Sequence, residues 1–101
     1  MRIVFVTCPP EAGGKLLRSL VEERLVAGGN VLPGVRSIYR WREQICDEPE
    51  EVLLMETAPD RVAALMVRIE QLHPYEVPKI VCLSPDETLP AYLAWVRAET
   101  R

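Results

Sequence analysis

The sequence is poor in histidine, cysteine and glycine, and each shortage argues against a class of site. The only histidine, His73, would be the sole imidazole base, and no serine lies in a nucleophile-elbow motif. Three widely spaced cysteines without a Cys-x-x-Cys pair indicate neither a disulfide framework nor a structural zinc site. The glycine pairs at 13–14 and 28–29 lack the rest of a phosphate-loop fingerprint. We therefore predict that the protein is not an enzyme.

Positive charge is also in the minority, since 12 Lys and Arg face 15 Asp and Glu, for a net charge of -3. This balance offers no general attraction to nucleic acid or to anionic membranes, so we expect neither as a partner. The apolar segment at residues 1–7 is too short to cross a bilayer and lacks the features of a secretory signal. We expect a cytoplasmic protein with a single domain over residues 1–101.

What the chain does contain is a long potential hairpin. An apolar-rich run at residues 30–41 is followed by a polar reversal and a second run at residues 51–57. Strict alternation along the first run predicts one mainly apolar face, formed by Val31, Val35, Tyr39 and Trp41. Two such strands would make a hairpin that is large for a chain of this size.

Pro33 and Gly34 interrupt the first of these strands. Proline has no N–H to donate to a strand ladder, and glycine permits the backbone that a bulge needs, so we predict a β-bulge in an edge strand. A long exposed edge with aromatic residues near its tip favours aggregation unless it is covered. The same element of another copy is the simplest cover, so we predict a symmetric oligomer.

The other segments alternate between strand and helix patterns. We predict a buried strand at residues 2–7, a helix that stops at Gly28 and Gly29, and a helix between Pro59 and His73. A short strand at residues 79–83 and a closing helix follow. Right-handed crossovers then give an α+β fold, a ferredoxin-like β-α-β-β-α-β sandwich with a C-terminal helix.

The densest group of reactive side chains is the segment from His73 to Pro78. A loop stiffened by Pro74 and Pro78 could hold the His73 imidazole and the Glu76 carboxylate together, with the Tyr75 phenol between them, as general acid and base or as metal ligands. Alternatively His73 caps the preceding helix, Tyr75 packs and Glu76 is solvated. Cys8 is either a soft ligand for copper or a small buried thiol.

An aromatic and basic segment, residues 39–42, precedes a run of acidic residues at 43–51. The mixed charge favours a hairpin tip that packs on a neighbour through its aromatic rings over a nucleic-acid surface. The acidic run lacks the spacing of a calcium-binding loop, so we predict a solvated, charged loop there.

Four segments resemble the CutA divalent-cation tolerance family in order and spacing. They are Asn30–Val35, Ser37–Trp41, Leu72–Pro78 and Tyr92–Trp95. The resemblance implies a subunit similar to PII signalling proteins, in a homotrimer linked to tolerance of divalent metals, copper above all.

The resemblance also implies site residues near a cleft between subunits. Tyr39, Trp41 and Tyr75 would bind a ligand, and copper or another divalent cation would be held by some of His73 and Glu76, together with Cys8, which is a candidate from its residue type and not from the resemblance. Two functions stay open: a metal-responsive trimer, and a PII-like module that receives a small ligand or a partner.

The chain departs from the family pattern at several positions. Gly28 replaces a cysteine, and Glu43 replaces the turn glycine, which implies a different hairpin turn. Glu56 and Lys79 stand where the opposite charges are usual. We expect these two side chains to pair within or between subunits.

Overall fold

The computed structural model describes residues 1–101 and has the predicted α+β architecture. Its elements are β1 Arg2–Cys8, α1 Gly13–Glu22, β2 Gly28–Trp41, β3 Gln44–Thr57, a 3-10 turn Pro59–Arg61, α2 Val62–Leu72, β4 Ile80–Leu83 and α3 Pro90–Glu99. The strands form one antiparallel sheet in the order β2-β3-β1-β4. This is the ferredoxin-like fold with a C-terminal helix. None of the helices has the length and apolar character needed to cross a membrane.

The hydrophobic core lies between one face of the sheet and the first two helices. Alternate residues of β1 and β3 meet the apolar stripes of α1 and α2, because strands present every second side chain and helices every third or fourth. The fully buried members are Val4, Val6, Cys8, Leu20, Leu53, Met55, Leu65 and Ile69. This core holds the sheet from which the hairpin of β2 and β3 extends.

The hairpin is longer than the sequence indicates. Residues 44–50, predicted to be a solvated loop, are the first half of β3 and pair with β2. Only Arg42 and Glu43 form the turn, with φ of 49° and 68°, as in the type I′ turns that suit two-residue hairpins. The prediction of a charged loop was wrong because charged side chains can occupy a strand whose face is exposed.

The predicted bulge is present in β2. Leu32 pairs with Val52 and Val35 with Glu50, so the two strands slip by one residue around Gly34, whose φ is 73°. Because of this extra residue, each later side chain of β2 lies on the opposite face of the hairpin from the one that strict alternation predicts. Val31 therefore packs on the core, whereas Val35, Tyr39 and Trp41 lie on the opposite face. Our assignment of Val31 to their face was wrong.

The glycines predicted to stop the first helix belong to β2 instead. The helix α1 ends at Glu22, and the amides of Leu25 and Val26 both donate to the Leu20 carbonyl oxygen. At Gly29 a Cβ atom would lie 2.7 Å from the carbonyl oxygen of Leu54, so this position requires glycine for close strand packing.

Beyond the bulge the hairpin leaves the sheet. The strand β1 pairs with β3 only as far as Cys8 opposite Glu51, so residues 35–50, here called the arm, are paired only with each other. The arm gives the subunit its long dimension of 44 Å against 26 and 22 Å. Its outer edge on β2 has no strand partner in the chain.

Candidate functional site

A cleft of about 680 Å³ lies between the arm and the loop that joins α2 to β4. Three aromatic residues predicted to bind a ligand, Tyr39, Trp41 and Tyr75, all line it. Its charged lining consists of Glu50, Glu76 and Lys79. The structure thus brings the predicted ligand-binding residues together, and their role in binding stays a prediction.

The least solvated carboxylate of the cleft is Glu50, which is only 6% exposed. Its Oε2 accepts a hydrogen bond of 2.7 Å from the hydroxyl of Tyr75. Burial first, and then this hydrogen bond and the carboxylate charge, raise the pKa of Tyr75 above its usual value. The arm and the loop are therefore joined by a phenol–carboxylate pair at the back of the cleft.

Sequence reasoning missed Glu50 because it was assigned to a solvated loop. A signal was present: Glu50 lies two residues before Val52 and three before Leu53, so a strand through this region puts Glu50 opposite the core face. The register across the bulge then aligns Glu50 with Val35, on the face that carries Tyr39. The pairing of Glu50 with Val35 can be predicted only if the position of the bulge is known.

Tyr39 forms a second phenol–carboxylate pair along the arm. Its hydroxyl donates to Oε2 of Glu48 at 3.2 Å. The pKa of Tyr39 is raised to about 12, mainly because the hydroxyl loses hydration and to a smaller extent because of this hydrogen bond. Negative charge from β3 therefore extends along the arm beyond Glu50.

His73 lies behind the cleft wall and is only 7% exposed. Its Nε2 donates to the carbonyl oxygen of Thr7 at 2.7 Å, and its Nδ1 accepts from the amide of Tyr75 at 3.2 Å. The two rings of His73 and Tyr75 are 4.7 Å apart. The Nε2 bond thus ties the loop to the end of β1, the Nδ1 bond fixes the loop on itself, and neither nitrogen is free for a metal ion within one chain.

The predicted metal ligands do not form a cluster. Glu76 is exposed and its Oε2 accepts from Arg42 at 2.8 Å. Cys8 is fully buried in the core, where burial and the nearby Glu51 and Glu50 raise the pKa of the thiol to about 11. Thiols bind metals as thiolates, so this environment opposes binding. The subunit contains no group of three or more His, Cys, Asp or Glu placed around one ion.

The expected pair of Glu56 and Lys79 is absent within the subunit. Glu56 accepts a 2.6 Å hydrogen bond from Tyr92 on α3, and this bond is the main cause that raises the pKa of Tyr92 to about 12. The ammonium of Lys79 instead lies 4.6 Å from the centre of the Phe5 ring. The prediction was wrong for a pair inside one chain.

The tyrosines should ionise late in alkaline solution. Each hydroxyl of the three donates to a glutamate: Tyr39 to Glu48, Tyr75 to Glu50 and Tyr92 to Glu56. We expect Tyr39 and Tyr92 to titrate near pH 12 in the folded protein, followed by absorbance at 295 nm, and near pH 10 after unfolding in guanidinium.

Because the folded-state pKa is the higher one, the stability from these bonds is complete below pH 10 and is lost as the pH rises towards 12. The variant Glu56→Gln should lower the midpoint of one tyrosine only. A midpoint near pH 10 for the whole folded protein would contradict the three pairs.

Comparison with known proteins gives one consistent result. The family described as CutA1 divalent ion tolerance protein matches residues 2–99. A relative from Thermus thermophilus, the divalent-cation tolerance protein CutA, is 40% identical over 97% of this chain and 96% of its own length. Protein CutA of Mus musculus is 38% identical over 95% of this chain. The chain spans 55% of that mouse protein, about half its length.

Solved structures agree with the sequence relatives. The PII-like protein CutA from Nostoc in apo form superposes with a TM-score of 0.95 at 40% identity, covering 100% of this chain and 98% of that one. The divalent cation tolerance protein from Thermus thermophilus gives a TM-score of 0.95 at 40% identity, with 100% of both chains covered.

Proposed function

The chain belongs to the CutA1 divalent ion tolerance protein family, and from this premise we propose that it acts in tolerance of divalent cations, as a homotrimer that binds or responds to metal ions such as copper. The observation that carries the proposal is the carboxylate-bearing cleft, where Glu50 and Glu76 accompany a single lysine. Such a surface attracts cations.

A binding role is supported over a catalytic one by the state of the reactive groups. The only imidazole is engaged at both nitrogens by backbone groups of Thr7 and Tyr75. The buried thiol of Cys8 is held protonated at neutral pH by its raised pKa of about 11. No nucleophile is therefore paired with a base, and we propose no reaction.

The homotrimer is supported by the arm. Its edge on β2 lacks a strand partner, and one face of the arm carries Ile38 on β2 and Ile45 on β3, which are 62% and 63% exposed. Edges of this kind are covered in stable proteins. Pairing of each arm with a neighbouring subunit would cover both the edge and the two isoleucines.

We assign the metal response to the assembled trimer, because one subunit does not gather the predicted ligands. Glu76 is the accessible member of the predicted set, and its carboxylate would have to exchange Arg42 for the cation. Groups from a neighbouring subunit would complete the coordination. Binding should therefore be weak and should depend on the trimer.

Copper calorimetry on the purified trimer tests this proposal. We expect stoichiometric binding by the wild type that Glu76→Gln weakens by about tenfold or more, since even changes to the outer shell of a metal site cost about 10–100-fold in affinity. The matched control is Glu70→Gln, an equally charged and exposed position on α2. A trimer that binds no copper, or binds it equally in both variants, would refute the metal-binding form of the proposal.

A second function, a PII-like module for a small ligand or partner, is favoured by the size of the cleft. A volume of about 680 Å³ far exceeds one ion and falls within the range of about 300–1,000 Å³ usual for small-molecule sites. Aromatic walls give such a ligand contact area that a bare cation does not need.

A further inference from the structure

The cleft combines aromatic rings with a carboxylate that has no cationic partner. Tyr39, Trp41 and Tyr75 line it on the arm and on the loop. The only hydrogen bond to the Glu50 carboxylate comes from the Tyr75 hydroxyl, and no lysine or arginine lies within ion-pair distance of it. A buried carboxylate without a counter-charge is costly, so a ligand that supplies positive charge is favoured there.

The two cations at the cleft, Arg42 and Lys79, are engaged by groups other than Glu50. Arg42 pairs with Glu76 at 2.8 Å and lies 5.4 Å from the centre of the Trp41 ring. Lys79 lies over Phe5, which does not line the cleft. These contacts leave the Glu50 carboxylate as the one charge in the cleft that no cation of this chain neutralises.

We propose that the cleft binds an organic ammonium ion, with its charge beside Glu50 and its alkyl groups against the rings of Tyr39, Trp41 and Tyr75. Aromatic faces attract alkylated ammonium groups, and a neighbouring carboxylate adds to the attraction. Within one chain, a bare divalent cation would find only the free carboxylate of Glu50 beside these rings, since Glu76 is paired with Arg42. This inference rests on the small-ligand form of the proposed function.

Choline is the probe, and the fluorescence of Trp41 is the readout. The chain has two tryptophans, so Trp95→Phe on α3 leaves Trp41 in the cleft as the only reporter. We expect saturable quenching by choline chloride at constant ionic strength. The uncharged carbon isostere 3,3-dimethylbutan-1-ol should bind at least about tenfold more weakly, because it lacks the charge that the rings and the carboxylate attract.

Charge removal at Glu50 gives the decisive comparison. Glu50→Gln keeps an acceptor for Tyr75 but removes the charge, and it should weaken choline binding by about tenfold or more. Glu56→Gln is the matched control, because Glu56 accepts the equivalent hydrogen bond from Tyr92 outside the cleft. That variant should bind choline like the wild type. Tyr39→Leu, measured by calorimetry, removes a wall without touching the reporter and should also weaken binding.

Three results would overturn the inference: no saturable quenching, equal binding of the neutral isostere, or equal effects of Glu50→Gln and Glu56→Gln. Its failure is separable from failure of the proposed function. Copper binding is measured by calorimetry on Glu76 and Glu70 variants, whereas choline binding is followed at Trp41. A trimer that binds copper but not choline would retain the metal-responsive function and refute this ligand class.

Discussion

Replacing Ile45 with glutamate is expected to dissociate the proposed trimer while leaving the subunit folded. Ile45 lies on the arm with its side chain 63% exposed and makes no contribution to the core. In an isolated subunit, substitution at such a position changes stability by only about 0.5 kcal/mol. If the arms cover one another, the same substitution removes apolar burial at every copy of the contact and introduces a charge there.

The expected loss of association free energy is large because a trimer contains three copies of the Ile45 contact. Burial of an isoleucine side chain is worth roughly 2 kcal/mol, so three copies contribute on the order of 6 kcal/mol, about four powers of ten in the association constant. Analytical ultracentrifugation should find the wild type at three times the 11.5 kDa mass of the chain. The variant should sediment at or near the mass of one chain.

The matched control is Val67→Glu, which makes the same change of an exposed β-branched residue on the outer face of α2. Val67 is 56% exposed, so an isolated subunit would tolerate both changes equally. We expect Val67→Glu to remain trimeric. A wild type of single-chain mass, or two variants that behave alike, would show that the arm is not the assembly surface.

The sequence was sufficient for most of the fold because its signals are local. Apolar spacing at residues 62–72 predicts α2, and Pro33 beside Gly34 predicts the bulge, since both follow from side-chain periodicity or backbone chemistry. The acidic half of β3 was missed because its strand pairing is decided by β2 across the turn and not by its own composition. The same reason explains why Gly28 and Gly29 were assigned to a helix end.

The site was harder to predict because the bulge changes the face of the hairpin on which the later β2 side chains lie. A bulge shifts alternation by one residue, so Val31 and Val35 lie on opposite faces although they are four residues apart. That shift puts Val35 and Tyr39 on the face of the hairpin that carries Glu50, whose carboxylate meets Tyr75. The family resemblance predicted that Tyr39 and Trp41 line a cleft, where the structure places them, but neither it nor the residue types could identify which carboxylate lies beside them.

His73→Ala is expected to destabilise the subunit by about 2–4 kcal/mol, mainly because two backbone groups lose their partners. The buried carbonyl oxygen of Thr7 and the amide of Tyr75 are both satisfied by the imidazole. Removal of the ring also leaves a cavity beside Tyr75. The loop from residue 73 to 79 should therefore loosen, and with it the wall of the cleft.

Urea unfolding measures the loss of unfolding free energy in His73→Ala. The protein concentration is kept fixed, because the stability of an oligomer depends on it. Amide hydrogen exchange at Tyr75 gives a local readout, since its N–H donates to Nδ1 of His73 and should exchange faster in the variant. Glu70→Ala, an exposed change on α2, is the control and should shift stability by no more than about 0.5 kcal/mol.

His73→Gln separates this structural role from a role as metal ligand. A glutamine amide can donate to the Thr7 carbonyl as Nε2 does, and it should recover about 1 kcal/mol of the loss, but it offers no imidazole to a metal. If His73 only anchors the loop, His73→Gln keeps the copper affinity of the wild type. If copper binding disappears while the fold is kept, the ring must exchange its bond to Thr7 or to the Tyr75 amide for the metal, and the loop itself would then be the element that responds to the ion.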